Sequence, residues 1–295
     1  MSYKQFLSSD IFKYVKQLEV KTKKLVQGSF SGSYASSLKG SGINFSGFRE
    51  YVYGDDTRNI SWPLTARTGK TYLKEFEEDR ELQIILLVDI SKSMNFGSNS
   101  IKKEVSAYIS ALLAFTAIQN KDKVGLLLFS DEVEYFIKPQ KNKQNVYNIL
   151  LKILSQKSIS DKTSLSSSVK FLQNILKQKS HIFILSDFNF ILQEEKILQA
   201  LSFKHEIFAM HIRDKWEREL PNINAILKFS NLEGLQGSKE VAFDCSSKDS
   251  CREYKKIAYK KEMLIKQKLQ KINIPKILIE SDKKWAEPVI NFFNR

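Results

Sequence analysis

The stretch Leu82–Ser93, LQIILLVDISKS, decides how the rest of the chain is read. It opens with an unbroken apolar run from Ile84 to Val88 and ends in Asp89, Ser91 and Ser93, three oxygen-bearing side chains at alternate positions. An apolar run of this length, bounded by polar residues, predicts a strand buried on both faces. In open α/β sheets ligands bind at the carboxyl ends of such strands, and Asp89-x-Ser91-x-Ser93 stands at that end. One carboxylate with two hydroxyls suits a hard cation such as Mg²⁺, which takes oxygen ligands and keeps several waters.

Downstream, strands and helices alternate. Ile101–Gln119 has the wide apolar stripe of a helix, with Ile101, Val105, Tyr108, Ile109, Leu112, Leu113 and Phe115. Lys123–Ser130 reads as a second buried strand, and Val133–Ile137 as its hairpin partner at the sheet edge, ended by Pro139. Helices are expected over Gln144–Leu154, Leu165–Gln178 and Leu192–Leu201, and strands over His181–Leu185 and Glu206–Ile212. A short hairpin is expected to hold Ala225–Phe229 and Glu240–Phe243. A long basic helix, Asp249–Lys271, a last strand, Pro275–Ile279, and a closing helix, Trp285–Phe293, follow. This alternation predicts an α/β fold with a doubly wound, mainly parallel sheet over residues 81–295.

Upstream, residues 1–80 read as a helix, Ser9–Val26, followed by a small β-rich extension. The stretch from Gly28 to Gly47 is rich in Gly and Ser and reads as a turn-rich connection. Gly40-Ser-Gly42 neither follows a strand nor opens a helix, so it is no phosphate-binding fingerprint. Thr68-Gly69-Lys70-Thr71 imitates the end of a P-loop, but Leu64 stands where its first glycine belongs. Asp55 and Asp56 are paired carboxylates that acid/base chemistry could use. A turn-capping role for Asp55, and an ion pair of Asp56 with Arg58 or Arg67, are the expectation. Tyr72–Phe76 reads as a strand leading to an acidic turn, Glu77-Glu78-Asp79.

With 295 residues, 42% hydrophobic and 27% charged, the chain builds a core rather than remaining disordered. No signal peptide is expected at the N-terminus, and no apolar stretch is long enough to span a bilayer. Two cysteines without C-x-x-C spacing fit a reducing cytoplasm. The net charge of +14 is spread over polar helix faces. It matches no nucleic-acid motif, although the cluster from Lys255 to Lys271 suits a peripheral contact with anionic lipid.

Two further residues lie at predicted carboxyl ends of the sheet or beside them: Thr163, in the loop before a helix, and Asp187, after the His181–Leu185 strand. Each alone could be a cap or a turn former. Together, in this chain order, they resemble the metal-ion-dependent adhesion site of von Willebrand factor A-type domains, over about residues 81–213. The resemblance implies that Asp89, Ser91, Ser93, Thr163 and Asp187 bind Mg²⁺, or Mn²⁺, partly through water. It also implies that one coordination position is left for a partner's carboxylate.

The segment KGSGINFSGFREYVYGDDTRNISWPLTARTGKTYLKEFEEDREL, followed by DISKSMNFG, is similar to a bacterial family, number 58 in the domain-of-unknown-function series. The match runs through Arg49, Tyr51, Gly54, Asp55, Asp56, Arg58, Trp62, Ala66 and Arg67, then Met94 and Gly97. Ser61 departs from that family's usual Asp, and Ser160-Asp161-Lys162 from its usual glycines before the Thr. Members often accompany MoxR-type AAA+ ATPases. The resemblance therefore implies a non-enzymatic, metal-dependent protein-interaction module working with such an ATPase or its client. A structural domain with a vestigial metal site, and a metal-assisted hydrolase using Asp55 or Asp56 as base, are the alternatives.

Overall fold

The computed structural model describes residues 8–39, 44–77, 81–98, 100–158, 160, 163–221, 223–229 and 241–294. Its centre is a six-stranded mixed sheet in the order β10-β7-β6-β3-β4-β5. The strands are β3 (Gln83–Asp89), β4 (Lys123–Phe129), β5 (Val133–Gln140), β6 (His181–Ser186), β7 (Glu206–Arg213) and β10 (Lys276–Glu280). All neighbours run parallel except β5, which is antiparallel to β4 at the edge. Pro139 lies inside β5 rather than ending it, because an edge strand leaves one row of backbone groups unpaired.

The alternation of side chains along β3 divides the core in two. Ile84, Leu86 and Val88 join the buried cluster built with α1 (Ser8–Val26), α2 (Ser29–Lys39), α4 (Lys102–Gln119), α5 (Lys143–Ser155) and α9 (Ala286–Phe293). Ile85 and Leu87 join the cluster built with α6 (Ser166–Ile175), α7 (Ile191–Ser202) and α8 (Lys248–Lys271). Helices thus cover both faces of the sheet, as its run of apolar strands requires. The helix α4 is buried at 13 of its 18 positions, more than a one-sided stripe would give. The reason is that α1, α2 and α5 pack against it in addition to the sheet.

Part of the turn-rich connection expected between Gly28 and Gly47 is helical. In α2 the residues Phe30, Tyr34 and Leu38, spaced by four, are buried. The ring of Phe293 lies against both Phe30 and Tyr34, and Ser37 Oγ donates to the Phe293 carbonyl at 2.8 Å. That apolar spacing overrides the local Gly/Ser composition.

The strands β1 (Asn44–Glu50) and β2 (Tyr72–Glu77) form a separate antiparallel pair, joined through a short 3₁₀ turn and the helix α3 (Trp62–Thr68). Both acids of the Gly-Asp-Asp box are tied locally. Arg49 grips Asp55 with two bonds of 2.7 Å, and Asp55 also accepts from the Val52 N–H. Asp56 accepts from the Arg58 backbone and guanidinium. Arg67 lies on α3 and is exposed. Residues 78–80, which include most of the expected acidic turn, lie outside the described residues. The hairpin expected after Arg213 is β8 (Ile226–Phe229) paired with β9 (Val241–Asp244).

Candidate functional site

Parallel register builds the site. Val88 on β3 faces Leu185 on β6, and Asp89 faces Phe129 on β4. The residues just beyond these strands, Ile90–Ser93, Ser130 and Asp187, therefore emerge at a single carboxyl edge. Asp89 and Ser91 are completely buried, and Ser93 and Asp187 nearly so. The Ser91 N–H donates to Asp89 Oδ1 at 2.9 Å, bending the chain into a 3₁₀ turn over Lys92–Asn95. This leaves the Ser91 and Ser93 hydroxyl oxygens 3.1 Å apart. From the neighbouring strand, Ser186 Oγ donates to Asp89 Oδ2 at 2.6 Å. Ser93 in turn is hydrogen-bonded to the Asp187 carboxylate.

Phe188, directly after Asp187, has a φ of 58°, a left-handed conformation that a bulky residue rarely adopts. The buried Phe188 ring, packed against Phe190 and His211, holds it there. Its N–H donates to Ser186 Oγ. Asp187, just before this strained residue, meets Lys102 of α4 and Ser93 of the turn after β3, and distortion of this kind collects at functional sites.

Thr163 is half-buried. The next residue, Ser164, donates its N–H to the Ser130 carbonyl at 2.8 Å, which pins the loop to the end of β4 beside β3. Glu194 fixes the same loop, accepting from Ser164 Oγ at 2.6 Å and from the Leu165 N–H at 2.5 Å. Asp161 and Lys162 lie outside the described residues.

Three groups in this region escape a motif-based reading. One is Ser186. The second is Lys102, the first residue of α4, whose side chain is 0% exposed. Its ammonium donates to Asp187 Oδ2 at 2.9 Å and to Glu217 Oε1 at 2.7 Å. The third is Glu217, in the 3₁₀ turn Lys215–Glu217 after β7, where it completes a capping box with Asp214. Sequence held a sign of each of the latter two. Lys102 falls on the line of Val105, Ser106 and Ile109, the inner side of α4, and Asp214-x-x-Glu217 has capping-box spacing. Gly97 permits the placement of Lys102: a Cβ there would stand 2.0 Å from the Ser100 carbonyl oxygen, so the chain turns tightly into α4.

The electrostatics are unequal. Burial, and then the charge of Asp187, push the Asp89 carboxyl up, against the hydrogen bonds from Ser186 and Ser91. Burial opposes the charge of Asp187 too, but the Lys102 ammonium overrides it and holds that carboxyl low. Nearby His211 is driven down to about 3, by burial first, and is neutral at ordinary pH.

These residues fit a small hard cation. Neighbouring oxygens around six-coordinate Mg²⁺ stand about 3 Å apart, and the two serine oxygens meet that spacing. Asp89 is a buried carboxylate whose hydrogen-bond donors, Ser91 and Ser186, are neutral. Among the described residues no three His, Cys, Asp or Glu side chains form a metal cluster, so any cradle here depends on hydroxyl oxygens. A cleft of about 440 Å³ opens elsewhere, at the amino ends of β7 and β10, lined by Phe203, His205, Phe208 and Lys271. Its one carboxylate, Glu206, is paired with Lys179 and His181.

Residues 47–263 match the family model described as protein of unknown function DUF58. The chain belongs to the DUF58 family. Uncharacterized proteins of Mycobacterium tuberculosis and Mycobacterium bovis are each 22% identical to this DUF58 chain over 281 residues, 94% of it and 87% of theirs. Among solved structures, the hypothetical protein BatB of Bacteroides thetaiotaomicron is similar at 11% identity, covering 65% of this chain and 98% of its own, with a TM-score of 0.33. The pilus adhesin SpaC of Lactobacillus rhamnosus GG is 14% identical over 86% of this chain and 35% of its own, with a TM-score of 0.40. Both superpose too loosely to transfer a role to the DUF58 chain.

Proposed function

We propose that this DUF58 protein is a non-enzymatic, von Willebrand factor A-like interaction module that works through a metal ion at the carboxyl edge of its sheet. The supporting observation is the convergence of Asp89, Ser91, Ser93 and Asp187 in one buried group tied together by hydrogen bonds. Thr163 is the fifth proposed ligand, on the loop that Ser130 and Glu194 anchor. Mg²⁺, or Mn²⁺, would be held by these oxygens. When bound, it would supply a Lewis-acidic position for a carboxylate of a protein partner. The partner we propose is a MoxR-type AAA+ ATPase or its client, in the cytoplasm, where the two free thiols, Cys245 and Cys251, are at home.

A hydrolase is a poorer fit. Asp55 is bound by Arg49, which holds its carboxyl down at about 2, and Asp56 is bound by Arg58. His211 is a weak base at its lowered pKa. The test is recovery of partners on the immobilised protein with Mg²⁺, with EDTA, and with Asp89→Ala. Recovery lost in the last two conditions is expected, and equal recovery in all three overturns the proposal. A vestigial site would instead show no rise in Tm on adding Mg²⁺, because only binding to the folded state raises it.

A second reading is favoured by α8. No helix among the described residues is long and apolar enough to cross a membrane. On α8, however, the exposed Lys255, Lys256, Lys260 and Lys266 are interleaved with exposed Ile257, Tyr259 and Leu264. Basic residues with apolar ones at the same surface suit the interface of an anionic bilayer. Co-sedimentation with phosphatidylglycerol vesicles, but not with phosphatidylcholine vesicles, is expected. The double charge reversal Lys256→Glu with Lys260→Glu abolishes it. Equal pelleting with both lipids removes this reading.

A further inference from the structure

Lys102 is the group in the cradle that a metal site does not require. It is fully buried and charged, and it joins Asp187, a proposed ligand, to Glu217, which stands outside the ligand set. Burial of an ammonium is unfavourable unless carboxylates offset it, and here two do. We propose that the Lys102 ammonium is a tethered counter-ion that competes with a divalent metal for Asp187, and that Glu217 sets how strongly it competes. The proposal rests on the metal-site reading above and concerns how tightly that site holds its ion.

The physical basis is charge. An ion drawn to Asp187 meets an ammonium already at hydrogen-bond distance from the same carboxylate. Like charges that close together oppose each other, and water does not reach Lys102 to screen them. Glu217, in the 3₁₀ turn after β7, shares the same ammonium at 2.7 Å. Two consequences of opposite sign follow. Removing the charge of Lys102 leaves Asp187 without its counter-ion, so a metal gains. Removing the charge of Glu217 leaves the ammonium wholly to Asp187, so a metal loses. An ion bridge that served folding alone would not move metal affinity in opposite directions.

The experiment is calorimetric titration of MgCl₂ into the full chain, with Tm measured in parallel, for wild type, Lys102→Met, Glu217→Gln and Asp89→Asn. Lys102→Met is expected to melt lower without Mg²⁺ and to bind it about tenfold more tightly than wild type. Glu217→Gln is expected to bind it several-fold more weakly, and Asp89→Asn to lose it. If wild type binds Mg²⁺ and Asp89→Asn does not, but Lys102→Met binds no tighter, the competition is refuted while the metal site stands. Both variants shifting in the same direction also refutes it. If neither wild type nor Lys102→Met binds Mg²⁺, the metal site and the competition fall together. Should Lys102→Met not fold, Glu217→Gln, which keeps the lysine, decides by itself: affinity equal to or above wild type overturns the proposal.

Discussion

His211 lies on β7 in register with Ser186, buried against Phe188, with its Nδ1 3.5 Å from Glu262. Burial lowers its pKa from 6.5 to about 3, against the pull of Glu262. Between those two values the unfolded chain binds a proton that the folded chain refuses. Stability from keeping this ring neutral is therefore fully present above pH 6.5 and is lost as pH falls toward 3. Tm is expected to fall between about pH 7.5 and about pH 5, and to fall less steeply in His211→Phe, as followed by circular dichroism. Parallel profiles for the two proteins would show that another group drives the acid sensitivity. At the same scale, the placement of Asp89, Ser91, Ser93 and Asp187 at one carboxyl edge was legible in sequence, because each follows an apolar run that reads as a buried parallel strand. Lys102 was less so: its spacing sets it on the inner line of α4, but one lysine in a first helical turn usually points to water. Only the packing of α4 on β3 and beside β7 shows where it ends.

Among the elements, the strands of the main sheet were the most legible. Ile84–Val88, Val124–Phe129 and Ile182–Leu185 are apolar at nearly every position and lie buried on both faces. The helix α2 was hidden by its composition, SFSGSYASSLK, in which small polar residues outnumber the three that matter. Phe30, Tyr34 and Leu38 form a stripe only once the chain is wound at about 3.6 residues per turn. Burial of the Phe30 ring against Phe293 makes α2 part of the core. Phe30→Ala is therefore expected to lower the unfolding free energy by about 3–5 kcal/mol, measured by urea titration. Ser36→Ala, at an exposed position of the same helix, changes it by less than about 0.5 kcal/mol. A Phe30→Ala effect as small as that of Ser36→Ala would mean that α2 docks weakly.

At the scale of the molecule, the N-terminal helices and the sheet share one core. Val15 and Leu18 of α1, Tyr34 of α2, Leu112 of α4 and Phe293 of α9 belong to a single buried cluster with Ile84 and Leu86 of β3. Polar links run alongside: Tyr147 donates to Glu19 at 2.5 Å, Lys143 pairs with Glu19, and Asn120 donates to Ser31 at 2.9 Å. Removing residues 1–39 would therefore uncover α4, whose apolar residues continue right round the helix, and an exposed apolar surface of that kind drives association. A chain starting at residue 81 is expected to express as aggregate or to melt well below the full protein, and limited proteolysis of the full protein is not expected to release a folded 81–295 fragment. The β1–β2 pair is different, because it forms its own two-stranded sheet, and an isolated pair of strands is marginal without a surface to pack on. Cleavage confined to residues 44–77, leaving α1 and α2 bound to the rest of the chain, is the pattern this division of the core requires. A soluble, cooperatively melting 81–295 fragment would show instead that the sheet needs no helix from the first 39 residues.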